Sequence, residues 1–305
     1  VGFIPRICGL GKRAAIAFGD APMSRVTKIE WCDASWNPVM GCTPVSPGCL
    51  NCYAARLAAR FAKEGGIYDG LAVHRGGRSV FTTKIRYNAA RLADPLRWKK
   101  PKRIFVNSMS DLFHEDVDFG FVDCVFGAMQ LAQRHTYLIL TKRPERMLEY
   151  MRQASKDAIG AVARRMNDDV PTDWASWPPA NVWMGTSVEN QDAAYERLPS
   201  LQLLKGWRRF VSFEPLIGPV QISSFAPREW LDWAIIGGET GPGARPCQLD
   251  WMAGLIGDCR ISGIPVFVKQ LGANPVIGDG ARMVVSDFKD MSAWPDWLRI
   301  REWPK

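Results

Sequence analysis

Short runs of β-branched and aromatic residues alternate along the chain with longer stretches of helical periodicity, the pattern of a parallel sheet joined by crossover helices. Arg103–Asn107 predicts a strand, followed by a helix near Phe119–Gln133. Thr136–Thr141 predicts the next, and Pro144 opens a helix that runs over Glu145–Gln153. Asn181–Thr186 is followed by a helix from about Asn190, and further strands are expected at Arg209–Phe213, Trp233–Gly237 and Pro265–Lys269. Lys28–Trp31 is the candidate for a first strand. Nearly all of these runs are apolar on both faces, which argues against an antiparallel sheet with one wet side. The expected fold is therefore α/β: a parallel (βα) barrel, full or partial and TIM-barrel-like, with a doubly wound open sheet as the alternative.

Val1–Pro22 carries no clear amphipathic element, so residues 1–22 are expected to be an extension outside the fold. Residues 23–273 form the expected barrel domain, interrupted by a Pro/Trp-rich loop over Asp168–Ala180. Residues 274–305 make a tail whose Trp294, Trp297 and Trp303 are expected to pack back onto the body.

Each apolar run ends in hydroxyl, amide or charged groups: Asn107–Asp111, Thr141–Pro144, Thr186–Asn190, Ser212–Pro215, Gly237–Gly241 and Lys269–Gln270. Any one of these reads as a turn or a helix N-cap. Six at the carboxyl ends of successive parallel strands predict a concave polar rim, where such folds place their sites.

Composition narrows the classes. With 47% hydrophobic residues, including 13 Trp and 14 Phe, the chain has ample material for a core, which excludes a disordered or fibrous protein. No window reaches the roughly 18–20 apolar residues of a membrane span, and no signal-peptide core is present, so a cytoplasmic protein is expected, without membrane contact. Thirty-nine Lys and Arg against 31 Asp and Glu give a net charge of +8, which permits a polyanionic partner without requiring one. The basic run Arg97–Arg103, with Trp98 as a ring for stacking on a base, adds to that expectation.

The strongest chemical signal is Cys42-Thr43-Pro44-Val45-Ser46-Pro47-Gly48-Cys49-Leu50-Asn51-Cys52-Tyr53, a C-x6-C-x2-C run ahead of a helix expected from about Cys49 to Phe61. The prolines stiffen the loop and Gly48 lets it turn, so three thiolates can converge. Three thiolates on a [4Fe–4S] cluster leave one iron open for a small molecule, as S-adenosyl-L-methionine chemistry requires. A structural zinc completed by Cys32, His74 or His114 is the alternative, as are unliganded thiols. Cys124, Cys247 and Cys259 receive no chemistry.

Ile29-Glu30-Trp31, Ser35-Trp36-Asn37-Pro38, Gly41-Cys42 and Ser46-Pro47-Gly48-Cys49-Leu50-Asn51-Cys52-Tyr53-Ala54 resemble an uncharacterised phage-encoded family known for its three-cysteine motif. Asn107–His114, Leu140–Pro144, Gly185–Asn190, Ser212–Leu216 and Gly237–Glu239 extend the resemblance over nearly all of Met23 to about Gly272. That family looks like a distant relative of the radical S-adenosylmethionine enzymes, which implies a (βα) barrel and a viral or horizontally moved gene. Two features depart from the usual pattern of those enzymes: six residues separate the first two cysteines, and Asn51 replaces an aromatic residue just before the last.

Together these readings place Cys42, Cys49 and Cys52 on the cluster, with Asn51 beside it and Tyr53 as the ring for the adenine. Ser108, Ser110 and Asp111 are expected near the methionyl end of the cofactor, and Thr186, Ser187 and Glu189 at the ribose hydroxyls. Lys142, Arg143, Glu214 and Lys269 are expected to face the substrate, with Glu239 shaping that end of the pocket. Basic side chains on the rim favour a nucleobase, nucleotide or nucleic acid as substrate. The alternative is a non-catalytic nucleic-acid-binding or partner protein with a structural zinc or iron–sulfur site. An accessory protein is a further possible partner, and the oligomeric state is not readable from the chain.

Overall fold

The computed structural model describes residues 27, 29–167, 174–225, 230–278, 280–283 and 287–304. The expectations for residues 1–22, for Lys28 and for Asp168 to residue 173 of the loop lie outside the described residues.

Seven strands form one sheet: β1 (Ala34–Trp36), β2 (Arg103–Val106), β3 (Thr136–Thr141), β4 (Val182–Ser187), β5 (Arg208–Phe213), β6 (Trp233–Gly237) and β7 (Val266–Gln270). Every neighbouring pair is parallel and the strands lie in chain order. An order that never reverses is the winding of a (βα) barrel, not of a doubly wound sheet. β1 and β7 are the two edges, so the barrel is partial. The first strand is Ala34–Trp36, not Lys28–Trp31, because Trp31 sits in a turn and sends its indole into the barrel interior.

The six longer helices among the described residues are α1 (Tyr53–Phe61), α2 (Phe119–Leu131), α3 (Pro144–Gln153), α4 (Lys156–Met166), α5 (Gln191–Gln202) and α6 (Leu249–Ile261). Asp118, Ser155 and Asn190 cap α2, α4 and α5 by accepting from backbone N–H groups in the first turn. The strands divide their side chains by alternation. Ile104, Val106, Ile139, Met184, Val211 and Ile236 join the helices in the main core. Phe105, Leu138, Phe210, Trp233, Ile235 and Phe267 form a second, inner cluster around Trp31.

That inner cluster shows how far the sheet curls. In a flat sheet β2 and β6 would stand about 19 Å apart, at ~4.8 Å per strand. Yet the Trp31 ring lies 4.6 Å from Phe105 on β2 and 6.4 Å from both Phe210 on β5 and Trp233 on β6. One indole touches all three only if the sheet wraps around it as a half-barrel.

The tail closes the amino-terminal end of this interior. Trp303 lies 4.7 Å from Trp233 and 5.4 Å from Phe267, with the Arg103 guanidinium 3.9 Å above its ring. Trp294 is buried, whereas Trp297 is largely exposed, contrary to the expectation that all three pack on the body. The basic run Arg97–Arg103 leads into β2 and so lies at the end of the sheet opposite the strand exits. Trp98 is buried there beside His135 and is not free to stack on a base. No helix among the described residues is long and apolar enough to cross a membrane.

Candidate functional site

The carboxyl ends of the strands meet around one cavity of about 180 Å³ that opens to solvent. Cys42, Cys49, Asn51, Cys52 and Tyr53 line it from the cysteine loop, and Asn107, Ser108, Ser110 and Asp111 from beyond β2. Lys142, Arg143, Ser187, Ser212, Glu214, Glu239 and Lys269 complete the wall from β3 to β7. Alternation explains much of this: two residues past an inward Phe105 comes Asn107, past Phe210 comes Ser212, past Phe267 comes Lys269. Thr186 and Glu189 do not reach the cavity. Thr186 points to the other face, where its hydroxyl donates to the Thr141 carbonyl at 2.9 Å.

The cysteine loop is built in separate pieces. Gly41 has φ +88°, and a Cβ there would lie 2.0 Å from the Lys84 carbonyl oxygen, so only glycine delivers Cys42 to this position. Pro47–Cys49 forms a single 3-10 turn, and α1 begins at Tyr53 rather than near Cys49. Cys52, at ψ 119°, is the non-helical residue that interrupts the run and turns its thiol inward.

Several of the polar residues that the sequence sends to a ligand tie this loop to the barrel. Arg143 donates to the Thr43 carbonyl at 3.1 Å, pairs with Asp111 at 3.2 Å and Glu115 at 2.8 Å, and lies 3.9 Å from the Cys42 sulfur. Burial works to lower the Arg143 pKa, but the bonds to Glu115 and Asp111 outweigh it and hold the guanidinium charged. Asp111 also accepts from the Thr141 hydroxyl at 2.6 Å and from the Lys142 N–H at 3.0 Å. Glu189 is wholly buried, pairs with Arg197 at 2.8 Å and accepts from the Gly48 N–H at 3.4 Å. A Cβ on Gly48 would stand 2.9 Å from that carboxyl carbon. Asn51 donates to Glu239 at 2.9 Å and to the Gly243 carbonyl, and Arg245 donates to the same Glu239 carboxylate through its backbone and guanidinium. Burial would raise the Glu239 pKa, yet the Arg245 bonds keep it below its ordinary value. The Tyr53 hydroxyl donates to the Ser108 carbonyl at 2.6 Å. Gly238 serves the sheet, since a Cβ there would meet the Leu271 carbonyl oxygen at 2.4 Å.

Glu115, Arg197, Arg245 and Asn37, which accepts from the Ser108 hydroxyl and the Met109 N–H, were not legible as site residues. Each works through a partner distant in sequence or carries no motif of its own.

What remains available to a ligand is a smaller set. Arg143 and Lys269 are paired, the latter to Glu214 at 2.6 Å, while Lys142 makes no ion pair among the described residues. Asn107, only 1% exposed and held at φ +59°, has an Nδ2 with no hydrogen-bond partner, and the indole Nε1 of buried Trp31 is likewise unpartnered. Both side chains line the cavity. Two buried orphan donors and a free ammonium describe a pocket that wants acceptor atoms.

The three thiols line one cavity, and burial sets the state of two of them. Burial pushes the Cys42 thiol up to about 12, with Asp111 adding to the rise and Arg143 opposing it, and burial also raises Cys52. Such thiols lose their proton when a metal takes its place. A zinc ion about 2.3 Å from each sulfur would gather its thiolates into one tight knot. Among the described residues no three His, Cys, Asp or Glu side chains are grouped to hold a single ion. Thiolates are also the ligands of iron–sulfur clusters, which take them at separate corners. The candidates for a fourth ligand lie elsewhere. Cys32 is buried in the inner aromatic cluster, and His74 is exposed on a hairpin. His114 already uses both ring nitrogens, Nε2 with the Thr43 hydroxyl at 2.7 Å and Nδ1 accepting from the Asp116 N–H.

Fold and cavity thus define a parallel half-barrel protein with a three-thiol pocket at its strand exits. The chain belongs to the family described as "Protein of unknown function (DUF5131)", which it matches over residues 26–285. No curated protein matches it. Among solved structures, a cysteine-to-serine mutant of spore photoproduct lyase is similar at a TM-score of 0.38 and 10% identity, over 73% of this chain and 60% of that one. The chain therefore spans less than two thirds of that protein, and the likeness is too slight to bear on function.

Proposed function

We propose that the protein is a radical S-adenosylmethionine-type iron–sulfur enzyme of phage origin, acting in the cytoplasm on a nucleobase, nucleotide or nucleic acid. Cys42, Cys49 and Cys52 would hold three irons of a [4Fe–4S] cluster and leave the fourth for S-adenosyl-L-methionine. The carrying observation is that these three thiols, with no fourth Cys or His among the described residues that line it, share one cavity at the strand exits of a half-barrel. Given one electron from an external reductant, the bound cluster and S-adenosylmethionine would supply a 5′-deoxyadenosyl radical, with methionine as the leaving group, for hydrogen abstraction from, or addition to, the substrate.

The chain's own residues do the rest. Arg143 holds the Cys42 segment against Asp111 and lends positive charge beside a thiolate. Lys142 offers an unpaired cation to a carboxylate or phosphate. Asn107 and Trp31 offer donors to carbonyl or anionic oxygens deep in the pocket, and Tyr53 presents a partly exposed ring for the adenine. Buried Phe105 and half-buried Leu140 give the wall an apolar surface.

The test is anaerobic reconstitution with iron and sulfide. About four irons per chain, a reduced-state paramagnetic spectrum that changes on adding S-adenosylmethionine, and 5′-deoxyadenosine on reduction are expected. Replacing any one of Cys42, Cys49 or Cys52 by Ala should abolish all three. One zinc per chain and no deoxyadenosine would defeat the proposal and favour a structural metal.

A further inference from the structure

Residues 53–91 leave the barrel between the cysteine loop and β2, and they hold most of the chain's charge excess: eight Lys and Arg against Glu64 and Asp69, or +6 of the total +8. Arg60, Lys63, Arg75, Arg78, Lys84 and Arg86 are exposed, and none forms an ion pair among the described residues. A merely solvated face intersperses both signs. This one instead sets Tyr53, Phe61, Ile67, Val73 and Tyr87 among the cations, all substantially exposed.

The hairpin of Ala72–Arg75 and Arg78–Phe81 sharpens the point. Its register puts Arg75 directly opposite Arg78, an arrangement in which like charges destabilise the pair. Gly76 and Gly77 join them at φ +57° and +73°, the left-handed backbone of a tight two-residue turn, and nothing lies within 4 Å of where either Cβ would be. The tip therefore projects two unpaired guanidinium groups into solvent, where an anion would relieve their repulsion. At the foot of the hairpin Phe81 lines the cavity, as does Tyr53 at the start of α1. Three residues of strand, about 10 Å, separate Phe81 from Arg78.

We propose that this lobe docks a single-stranded nucleic acid, phosphates on the hairpin tip and bases on the exposed rings, so that one base enters the cavity. The inference rests on the nucleic-acid reading of that cavity. A single strand is favoured over a duplex because stacking needs unpaired bases and a concave pocket admits only a base that has left its helix.

Fluorescence anisotropy with a labelled mixed-sequence 20-nucleotide DNA strand, titrated at several salt concentrations with the full chain, tests this. Arg75→Gln/Arg78→Gln should weaken binding at least tenfold at low salt and flatten the log–log salt slope by about 1.4, two contacts at ~0.7 each. Arg60→Gln/Lys63→Gln, in the last turn of α1 and just past it, should act in the same direction. Lys205→Gln/Arg260→Gln, exposed cations past the end of α5 and on α6, should change little. Four results would overturn the inference: no binding at low salt, equal losses in hairpin and control variants, tighter binding of the matching duplex, or equal displacement by polyglutamate of the same length. Iron content and deoxyadenosine formation, measured on the same hairpin variant, should be unchanged. If the protein takes up no iron yet binds the strand through the hairpin, docking stands and the cluster falls; the converse sinks docking alone.

Discussion

Glu189 and Arg197 lie on neighbouring turns of chain with both side chains buried, and the Gly48 N–H rests on the same carboxylate. Glu189→Gln leaves the buried guanidinium no ion pair but the 3.9 Å contact to exposed Glu196, and removal of one partner of a buried pair costs about 3–5 kcal/mol. Urea unfolding should show that loss, accompanied by poorer iron uptake as the Cys49 segment loosens. A stability change below about 1 kcal/mol would mean that water reaches the pair. Elsewhere, His135 bonds the Pro95 carbonyl through Nε2 at 2.9 Å and leaves Nδ1 buried without a partner. Burial holds its pKa below the ordinary 6.5. Because the unfolded chain then binds the proton more readily, stability is fully present above pH 6.5 and falls as the pH drops through that value toward the lowered folded one. His114, lowered chiefly by burial, shares the effect. Unfolding midpoints at pH 7.5, 6.5 and 5.5 should decline in that order, and His135→Gln should reduce the decline; an unchanged slope would assign it to other groups.

Among the elements, the six strands β2 to β7 were the most legible, their limits falling within a residue of expectation, because burial on both faces writes an unbroken apolar run. Gly185 shows how tightly two of them close on one another: a Cβ there would stand 2.5 Å from the Phe210 ring on β5. Gly185→Ala should therefore cost about 1–3 kcal/mol through overpacking. A lowered melting temperature with cysteine reactivity unchanged would place the damage in the barrel interior; an unchanged one would show that Phe210 moves aside. The start of α1 was less legible. Cys49 to Cys52 reads as helix-compatible, and only the extended backbone of Cys52, which carries a thiol inward, breaks the run. α4 went unpredicted, and β1 was placed too early, since Ala34–Trp36 is a three-residue edge with little apolar signal while Trp31 serves as a plug.

The closing of the half-barrel depends on residues far apart in the chain. Trp303 joins Trp233 and Phe267 beneath Arg103, so Trp303→Ala should cost about 2–3 kcal/mol, less than a fully buried tryptophan, and expose the tail to limited proteolysis. Resistance equal to the wild type would show that Trp294 alone holds it. The distribution of charge changes most between chain and fold. The compact basic run Arg97–Arg103 stood out in the sequence, yet strand direction sends it to the end away from the cavity, while α1 and the hairpin, which carry dispersed cations, reach the cavity through Tyr53 and Phe81. Asn51 meets Glu239 across 188 residues and Gly48 meets Glu189 across 141. The sequence by itself determined the parallel α/β class, the polar rim and the three-thiol loop, because two-sided burial, strand ends and cysteine spacing are written within short windows. Only the tertiary structure decided which polar groups are consumed in stapling that loop and which face the cavity, because pairing across the barrel is set by chain closure and leaves no local pattern.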